Sequence, residues 1–291
     1  MSRNIQLVIP MSGMGQRFVD AGYKDPKPLI QVDNKPIIEH VYNLFPGVKD
    51  VLFIISKEHA KTTNIKEIIL KFCPFANIVE VDQAKKGPVF AVIQAIEHIK
   101  EDFEIILSYC DYGTEWSFEE FLNKALKYDG MIPCYRGFHP HMLGSDNYAF
   151  CKVKKKMLVE IKEKEPFTDN KMNEYASNGT YYFKTGKLVK QYFIELIDMN
   201  ISIRGEYYIS LVYNLLVRDK LKVGIFEINK MLQWGTPYDL EIYKGWSNYF
   251  RFNFNKQVTA AHNQDTVLVL PMAGKGSRFS ECGYDVPKPL S

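Results

Sequence analysis

The chain begins and ends on the same sequence, and that repeat limits its architecture more than any other feature. Residues 5–30 read IQLVIPMSGMGQRFVDAGYKDPKPLI and residues 266–291 read TVLVLPMAGKGSRFSECGYDVPKPLS, with about half of the aligned positions identical and no gap. The two segments stand roughly 260 residues apart, far beyond the period of about 20–50 residues that marks a solenoid. The spacing therefore predicts two tandem domains of one kind. One strand and one loop cannot bury a core, so the second copy is expected to be truncated. The division that follows is a complete domain at 1–252, a polar, aperiodic linker at 253–265 (NFNKQVTAAHNQD), and the start of a second copy at 266–291. The alternative is a tail that adds one edge strand to a single domain. It leaves unexplained why the glycines, Arg278 and Pro287-Lys288-Pro289 recur at the spacing of the first copy.

Composition narrows the class. A chain of 291 residues can bury a real core without staples. A net charge of +3 is too small to imply a nucleic-acid partner. Cys73, Cys110, Cys134, Cys151 and Cys282 stand singly, without zinc or redox spacing, which fits reduced thiols in the cytoplasm. No apolar run approaches the roughly 18 residues of a membrane span. The short apolar start runs straight into glycines, without the features of a signal peptide. The expectation is a cytoplasmic protein with neither membrane nor nucleic acid as partner, and with a homo-oligomer left open.

Hydrophobic patterning gives the fold class. Strands are predicted at 7–10, 51–56, 77–81 and 104–108, and helices at 37–44, 58–72, 89–99 and 118–127. This βαβα alternation predicts an α/β fold: a Rossmann-like mixed, mostly parallel sheet with helices on both faces. Residues 147–153 and 157–163 alternate apolar and polar around Lys154-Lys155-Lys156, as in a hairpin with a solvated, charged turn. A strand at 177–183, helices at 188–196 and about 206–216, a strand at 222–227 and a helix from 236 complete a β-rich second part. Ligands of such sheets sit at the carboxyl ends of strands. Gly13, Gln83 and Asp111 all fall just after strands, so they are expected to share one cleft.

The loop Ser12-Gly13-Met14-Gly15-Gln16-Arg17-Phe18 carries the first chemical signal. Glycines let backbone N–H groups come close to a phosphate. Arg17 can fork onto phosphate oxygens, and Lys27 adds a point charge. The dinucleotide fingerprint would need glycine where Phe18 stands, and a Walker loop would need Gly-Lys-Ser/Thr, which is absent. Asp111, after the apolar run Ile105-Ile106-Leu107, suits either Mg²⁺ shared with triphosphate oxygens or the cap of the next helix.

The signature G-x-G-x-R-F followed by Pro26-Lys27-Pro28-Leu29 resembles the sugar-1-phosphate nucleotidylyltransferases, most of all the branch found with capsule and surface-polysaccharide biosynthesis. The resemblance runs from Leu7 to about Tyr243. It includes QAKKGPVFA at 83–91, Cys110-Asp111-Tyr112, Glu163-Lys164-Glu165-Pro166, ASNGTYYF at 176–183 and Gly235-Thr236-Pro237. It implies the nucleotide-diphospho-sugar transferase fold, with a β-rich part that binds the acceptor. The reaction it implies is attack of a sugar 1-phosphate, or a similar phosphorylated acceptor, on the α-phosphorus of a nucleoside triphosphate, with release of pyrophosphate. On that resemblance Arg17 holds the β and γ phosphates and Lys27 stabilises the transition state near the α-phosphate. Gly13, Gly15, Gln83 and Gly87 meet the nucleotide. Glu163, Lys164, Asn178 and Gly179 meet the acceptor, with Lys164 on its phosphate. Asp111 binds Mg²⁺.

Three positions depart from the family's pattern. Gln233 stands where a second metal-binding aspartate is usual, and an amide is a poorer Mg²⁺ ligand. Pro88 replaces a common threonine beside the base, and Ala149 replaces a common glycine in the acceptor pocket. Asp239 is expected to be structural. Tyr181 and Tyr182 are expected to divide between core and pocket, and His139 and His141 to be loop residues. Ser12 has no triad partners. Two other functions compete with nucleotidyl transfer. A glycosyltransferase of related fold would need Asp-x-Asp, where Asp111 is followed by Tyr112 and Gly113. A non-catalytic nucleotide-binding or regulatory domain is suggested by Gln233 and the duplication.

Overall fold

Alternation begins at once. In the computed structural model, β1 (Ile5–Met11) leads through α1 (Gln16–Asp20) and a small antiparallel pair, β2 (Gln31–Val32) and β3 (Lys35–Pro36), to α2 (Ile37–Tyr42). β4 (Asp50–Ser56) leads through α3 (Lys57–Thr62) and α4 (Ile65–Phe72) to β5 (Asn77–Val81), and α5 (Pro88–Gln94) returns the chain to β6 (Glu104–Ser108). β7 (Tyr112–Glu115), α6 (Phe118–Ala125) and β8 (Gly130–Tyr135) follow. Then come the hairpin β9 (Ala149–Lys154) and β10 (Met157–Glu163), the short strands β11 (Tyr175–Ser177) and β12 (Thr180–Phe183), and helices α7 (Gly186–Asp198) and α8 (Ile209–Arg218). β13 (Val223–Glu227), β14 (Lys230–Gln233) and α9 (Pro237–Asn255) follow, and α10 (Ser277–Glu281) lies in the tail. The structure describes residues 3–255 and positions 269, 272, 274, 276–281 and 283.

The sheet is mixed, in the order β11-β9-β10-β13-β8-β12-β6-β1-β4-β5. β1 pairs in parallel with β4 and β6, and β5 in parallel with β4. β12 runs antiparallel between β6 and β8, and β9 to β11 are antiparallel throughout. Helices cover both faces, so the parallel strands are apolar on both sides. Along β1, Leu7, Ile9 and Met11 join the core under α2, α4 and α6, while Val8 joins the core under α5, α7 and α8. Each such aliphatic side chain removed from water is worth about 1.5–3 kcal/mol.

Local chemistry explains where the elements depart from simple periodicity. The helix expected at 58–72 is two helices, broken at Thr63. Its Oγ1 bonds the His59 carbonyl at 2.6 Å and accepts from the Ile65 amide at 3.4 Å, so the side chain competes with the helical ladder. The strand expected at 177–183 breaks at Asn178-Gly179, where Gly179 has φ 94° and Asn178 Oδ1 accepts from the Thr180 amide at 2.9 Å. The helix expected from 206 starts at Ile209, because Tyr207 is held by the Lys86 carbonyl and the Val89 amide. β8 is a fully buried strand that Gly130 and Pro133 conceal in the sequence. β7 and β14 form a ribbon that sets Gln233 opposite Tyr112, next to Asp111.

The chain divides into a unit at Met1–Tyr249 and a unit at Phe250–Ser291. α9 extends to Asn255, and the rest of the expected linker, 256–265, lies outside the described residues, as does most of the expected second copy. Where the tail is described, Gly276 has φ 60° and precedes the five-residue α10. In the first copy Gly15 has φ 62° and precedes the five-residue α1. No helix among the described residues is long and apolar enough to cross a membrane.

Candidate active site

A cavity of about 540 Å³ opens at the carboxyl ends of β1 and β6. Its floor is the glycine loop between β1 and α1. Gly15 adopts the left-handed conformation that glycine tolerates best, and its carbonyl accepts from the Phe18 amide at 2.8 Å to start α1. That turn sends Arg17 outward over the cavity, and Phe18 inward to the core. Arg17 has no side-chain partner among the described residues. Gly87 forms the opposite lip. A side chain there would sit 2.6 Å from the Tyr207 carbonyl oxygen, so only glycine lets the 84–88 loop lie against residue 207.

Lys27 and Asp111 meet in the wall between these loops. Lys27 Nζ donates to Asp111 Oδ2 at 2.6 Å, and each side chain is about four-fifths buried. Burial alone pulls the ammonium down, but the Asp111 charge and hydrogen bond, with Cys110 beside them, outweigh it and leave the pKa above the ordinary lysine value. Burial pushes the Cys110 thiol up to about 12 despite Lys27, so it stays protonated. Gly235 seals the back of the pair. A Cβ there would lie 2.8 Å from Asp111 Oδ2 and 3.2 Å from Gln233 Nε2, so the carboxylate and the amide converge on one point.

The far end of the cavity is built differently. Lys164 follows β10 with φ 60°, a costly conformation for a residue with a side chain. Its ammonium lies 4.3 Å from the centre of the Tyr208 ring, donates to the Tyr208 hydroxyl, and stands 3.8 Å from Glu206 Oε2. Tyr208 in turn donates to Glu206. Burial first, then Glu206, hold the Tyr208 phenol well above its usual value, so it remains a donor.

Among the expected site residues, Gly13, Gly15, Arg17, Lys27, Gly87, Asp111 and Lys164 line this cavity. Gln83, Glu163, Asn178 and Gly179 do not. Gly179 lies behind the wall residue Tyr109, whose amide donates to the Gly179 carbonyl at 2.9 Å. Glu163 is buried and accepts from Ser210 at 2.6 Å. Burial raises its pKa to about 7, against the lowering effects of Ser210 and Lys164. Asn178 is buried with Nδ2 unpartnered among the described residues.

Sequence reasoning missed Glu206, Tyr208, Tyr109 and Lys85 as wall residues. Lys85 lies inside the 83–91 motif and Tyr109 directly before Asp111's motif, while the one signal for Glu206 and Tyr208 was Gly205, just before them.

Several side chains singled out earlier have structural places. Tyr181 and Tyr182 are both core residues, on opposite faces of the sheet, because β12 is covered on both sides. Lys155 and Lys156 form the tight turn of the β9–β10 hairpin. Asp239 bonds Thr236 at the start of α9, with 2.7 Å between the side-chain oxygens. His139 and His141 lie on a short 3-10 turn yet are buried against Tyr135. Burial, then His139 and Lys171, pull His141 down to about 3, so it is neutral.

A divalent cation would meet a sparse donor set in this cavity. No group of three or more His, Cys, Asp or Glu side chains is gathered among the described residues. Mg²⁺ needs fewer, since it commonly takes one or two carboxylates and completes its shell with substrate phosphates and water. Asp111 fits that role beside a triphosphate.

Comparison with known proteins places this geometry in context. Residues 7–226 match the family described as Nucleotidyl transferase. The chain is 29% identical over 262 residues to the bifunctional protein GlmU of Methanococcus vannielii, covering 87% of this chain and 56% of that protein. It thus spans about half the length of the curated relatives it matches. The fold is that of a nucleoside-diphosphate-sugar pyrophosphorylase from Vibrio cholerae RC9, with a TM-score of 0.68 at 22% identity over 82% of this chain and 99% of that one. An inositol-1-phosphate CTP transferase from T. maritima shares it too, with a TM-score of 0.62 at 16% identity over 83% of this chain and 94% of that one.

Proposed function

Because the chain belongs to the nucleotidyl transferase family, we propose that it joins a nucleotidyl group to a sugar 1-phosphate or closely similar phosphorylated acceptor. The observation that carries this reading is the convergence of Arg17, Lys27 and Lys164 on one cavity whose floor is a glycine loop. The reaction brings two polyanions together. An oxygen of the acceptor phosphate attacks the α-phosphorus, a new P–O bond forms, and the bond to the β-phosphate oxygen breaks to release pyrophosphate. Such transfers depend mainly on positioning and charge.

In this reading Arg17, exposed at the rim, takes the β and γ phosphates. Lys27 sits deeper and neutralises charge that builds at the α-phosphate. The backbone of Gly13 and Gly15 lets the nucleotide approach the loop, and Gly87 flanks the base, with Gln83 behind it outside the lining. Lys164 holds the acceptor phosphate, and Tyr208 fixes Lys164. Glu163, Asn178 and Gly179 support the acceptor's hydroxyl side from behind the wall. Mg²⁺ bound by Asp111 and phosphate oxygens would neutralise triphosphate charge. The motif set at 83–91, 163–166 and 176–183 supports a narrower place in surface-polysaccharide precursor synthesis, and the singly standing cysteines fit a cytoplasmic setting. The matching turn at Gly276 supports reading the tail as the opening of a second copy.

The test is pyrophosphate release with Mg²⁺ across CTP, UTP, dTTP, GTP and ATP, each against pooled sugar 1-phosphates and other phosphorylated metabolites. Release with one triphosphate is expected and names the base. Triphosphate binding without release across the whole panel would overturn the reading in favour of a non-catalytic binding domain.

A further inference from the structure

The loop that would flank the base brings one charged side chain to the cavity, and it is Lys85 rather than Gln83. Ala84, Lys85, Gly87 and Pro88 line the cavity there. The loop is pinned at both ends. Gln94 accepts from the Asp82 amide at 3.0 Å and donates to the Asp82 carbonyl at 3.1 Å. The Lys86 carbonyl accepts from the Tyr207 amide at 2.9 Å, and the Tyr207 carbonyl accepts from the Val89 amide at 3.1 Å. The Lys86 ammonium lies over the Phe90 ring, 4.7 Å from its centre. Lys85 is exposed and has no side-chain partner among the described residues. Glu206, the carboxylate beside Tyr207, is already engaged by Tyr208 and Lys164. We propose that Lys85 selects the base: its ammonium favours a nucleoside triphosphate whose base carries a carbonyl oxygen, a 4-oxo pyrimidine or a 6-oxo purine, over one with an amino group at that place. The inference rests on the nucleotide-binding reading of this cavity and deepens it.

The physical case rests on what this lip can give and what it can take. A lysine ammonium carries three donors and no acceptor. It bonds a base through carbonyl oxygens and ring nitrogens, as with O6 and N7 of guanine, whereas an exocyclic amino group needs an acceptor such as a carboxylate. Two carbonyls of the loop that could accept from an amino group are spent, Lys86 on Tyr207 and Gly87 on the Ala91 amide at 3.4 Å. An amino group facing Lys85 therefore meets a positive charge and finds little to bond. A carbonyl oxygen in the same place gains a charge-assisted bond. Pinning at Gln94 and Tyr207 holds the backbone of Lys85 in place, so the long side chain searches only a small region of the cavity. Lys85 would act as a specificity residue, leaving the triphosphate to Arg17 and Lys27.

Calorimetric titration of the full chain, with Mg²⁺ and without acceptor, tests this on two matched pairs, UTP against CTP and ITP against ATP. The members of each pair differ only in the oxo or amino group and the ring proton that goes with it. The parent is expected to bind the oxo member of at least one pair about ten-fold tighter or more, the scale of one hydrogen bond to a charged group. Lys85→Met, a neutral side chain of similar length, should bring that ratio close to one. Lys85→Glu should invert it, because a carboxylate accepts from an amino group. Circular dichroism confirms that each variant is folded. A parent that prefers the amino members, or a ratio that survives both substitutions, overturns the proposal. An equal loss of affinity for all four nucleotides overturns it as well, and makes Lys85 a phosphate contact while the wider reading stands. If the folded parent binds none of the four, the nucleotide-binding reading itself fails and takes the inference with it.

Discussion

The two ends of the cavity neutralise themselves by different means. At the proposed nucleotide end, one largely buried ion pair, Lys27 with Asp111, joins the segment after α1 to the loop after β6, and Arg17 is left over as an exposed cation. At the proposed acceptor end, Lys164, Tyr208 and Glu206 form a chain of contacts between a hairpin and the approach to α8. The first end is shaped by backbone and short segments. The second is shaped by three side chains that hold one another, Lys164, Tyr208 and Glu206. The difference teaches where each function can vary. A triphosphate presents the same oxygens whatever its base, so a fixed cradle serves it. Acceptors differ, and a side-chain network can be retuned without moving the strands.

The largest expected effect lies at the nucleotide end. Lys27→Ala should lower turnover by about 100- to 1000-fold, the usual cost of removing one positioned transition-state donor. Its melting temperature should fall by some degrees, because Asp111 is left largely buried without its partner, while the chain stays folded at the assay temperature. Steady-state kinetics beside a thermal melt separates the two. A loss of stability in step with activity would make Lys27 a structural residue and erase the contrast between the ends.

The next effect belongs to the acceptor end and is read in stability against pH. Burial raises Glu163 to about 7 in the folded chain, against an ordinary value of 4.5. Between those values the folded state holds a proton that the unfolded state has lost, so stability falls as pH rises through the window. The full cost, up to about 3 kcal/mol, persists above pH 7. Glu163→Gln removes the ionisation and should raise the melting temperature at pH 8 but leave it nearly unchanged at pH 5. Equal shifts at both pH values would show that Glu163 does not titrate in the fold.

The same contrast decides what was legible in the sequence. Gly13, Gly15, Arg17 and Lys27 lie within one short segment, and the tail repeats it, so their convergence followed from local order and the strand–loop rule. Asp111 was legible because it ends an apolar strand. Glu206 and Tyr208 were not, because the backbone grip on Tyr207 that turns them into the cavity comes from the Lys86 carbonyl and the Val89 amide, far away in sequence. Asn178 and Gly179 were read as part of a continuous strand, whereas their turn sets them behind Tyr109. Tyr181 and Tyr182 misled for a related reason. Alternation predicts one buried and one exposed face, but a strand between two helical layers has no exposed face. Pro133 hid β8, since the usual penalty for proline in a sheet gives no hint that this strand is central.

The smallest effect tests the acceptor end most directly. Tyr208→Phe keeps the ring beneath the Lys164 ammonium and deletes only the hydroxyl that bonds both Lys164 and Glu206. Lys164 should then lose its fixed place while the fold survives, because the ring still fills its position. A hydrogen bond to a charged group is worth about 1.5–3 kcal/mol, and part of that is recovered as Lys164 keeps the ring face and Glu206. The expected result is a rise of about ten-fold in the acceptor KM, near the lower figure, with the nucleotide KM unchanged. Measuring both constants in one series sharpens the division. If the nucleotide KM rises equally, the two ends are a single coupled network, and Lys164 answers to the triphosphate as much as to the acceptor.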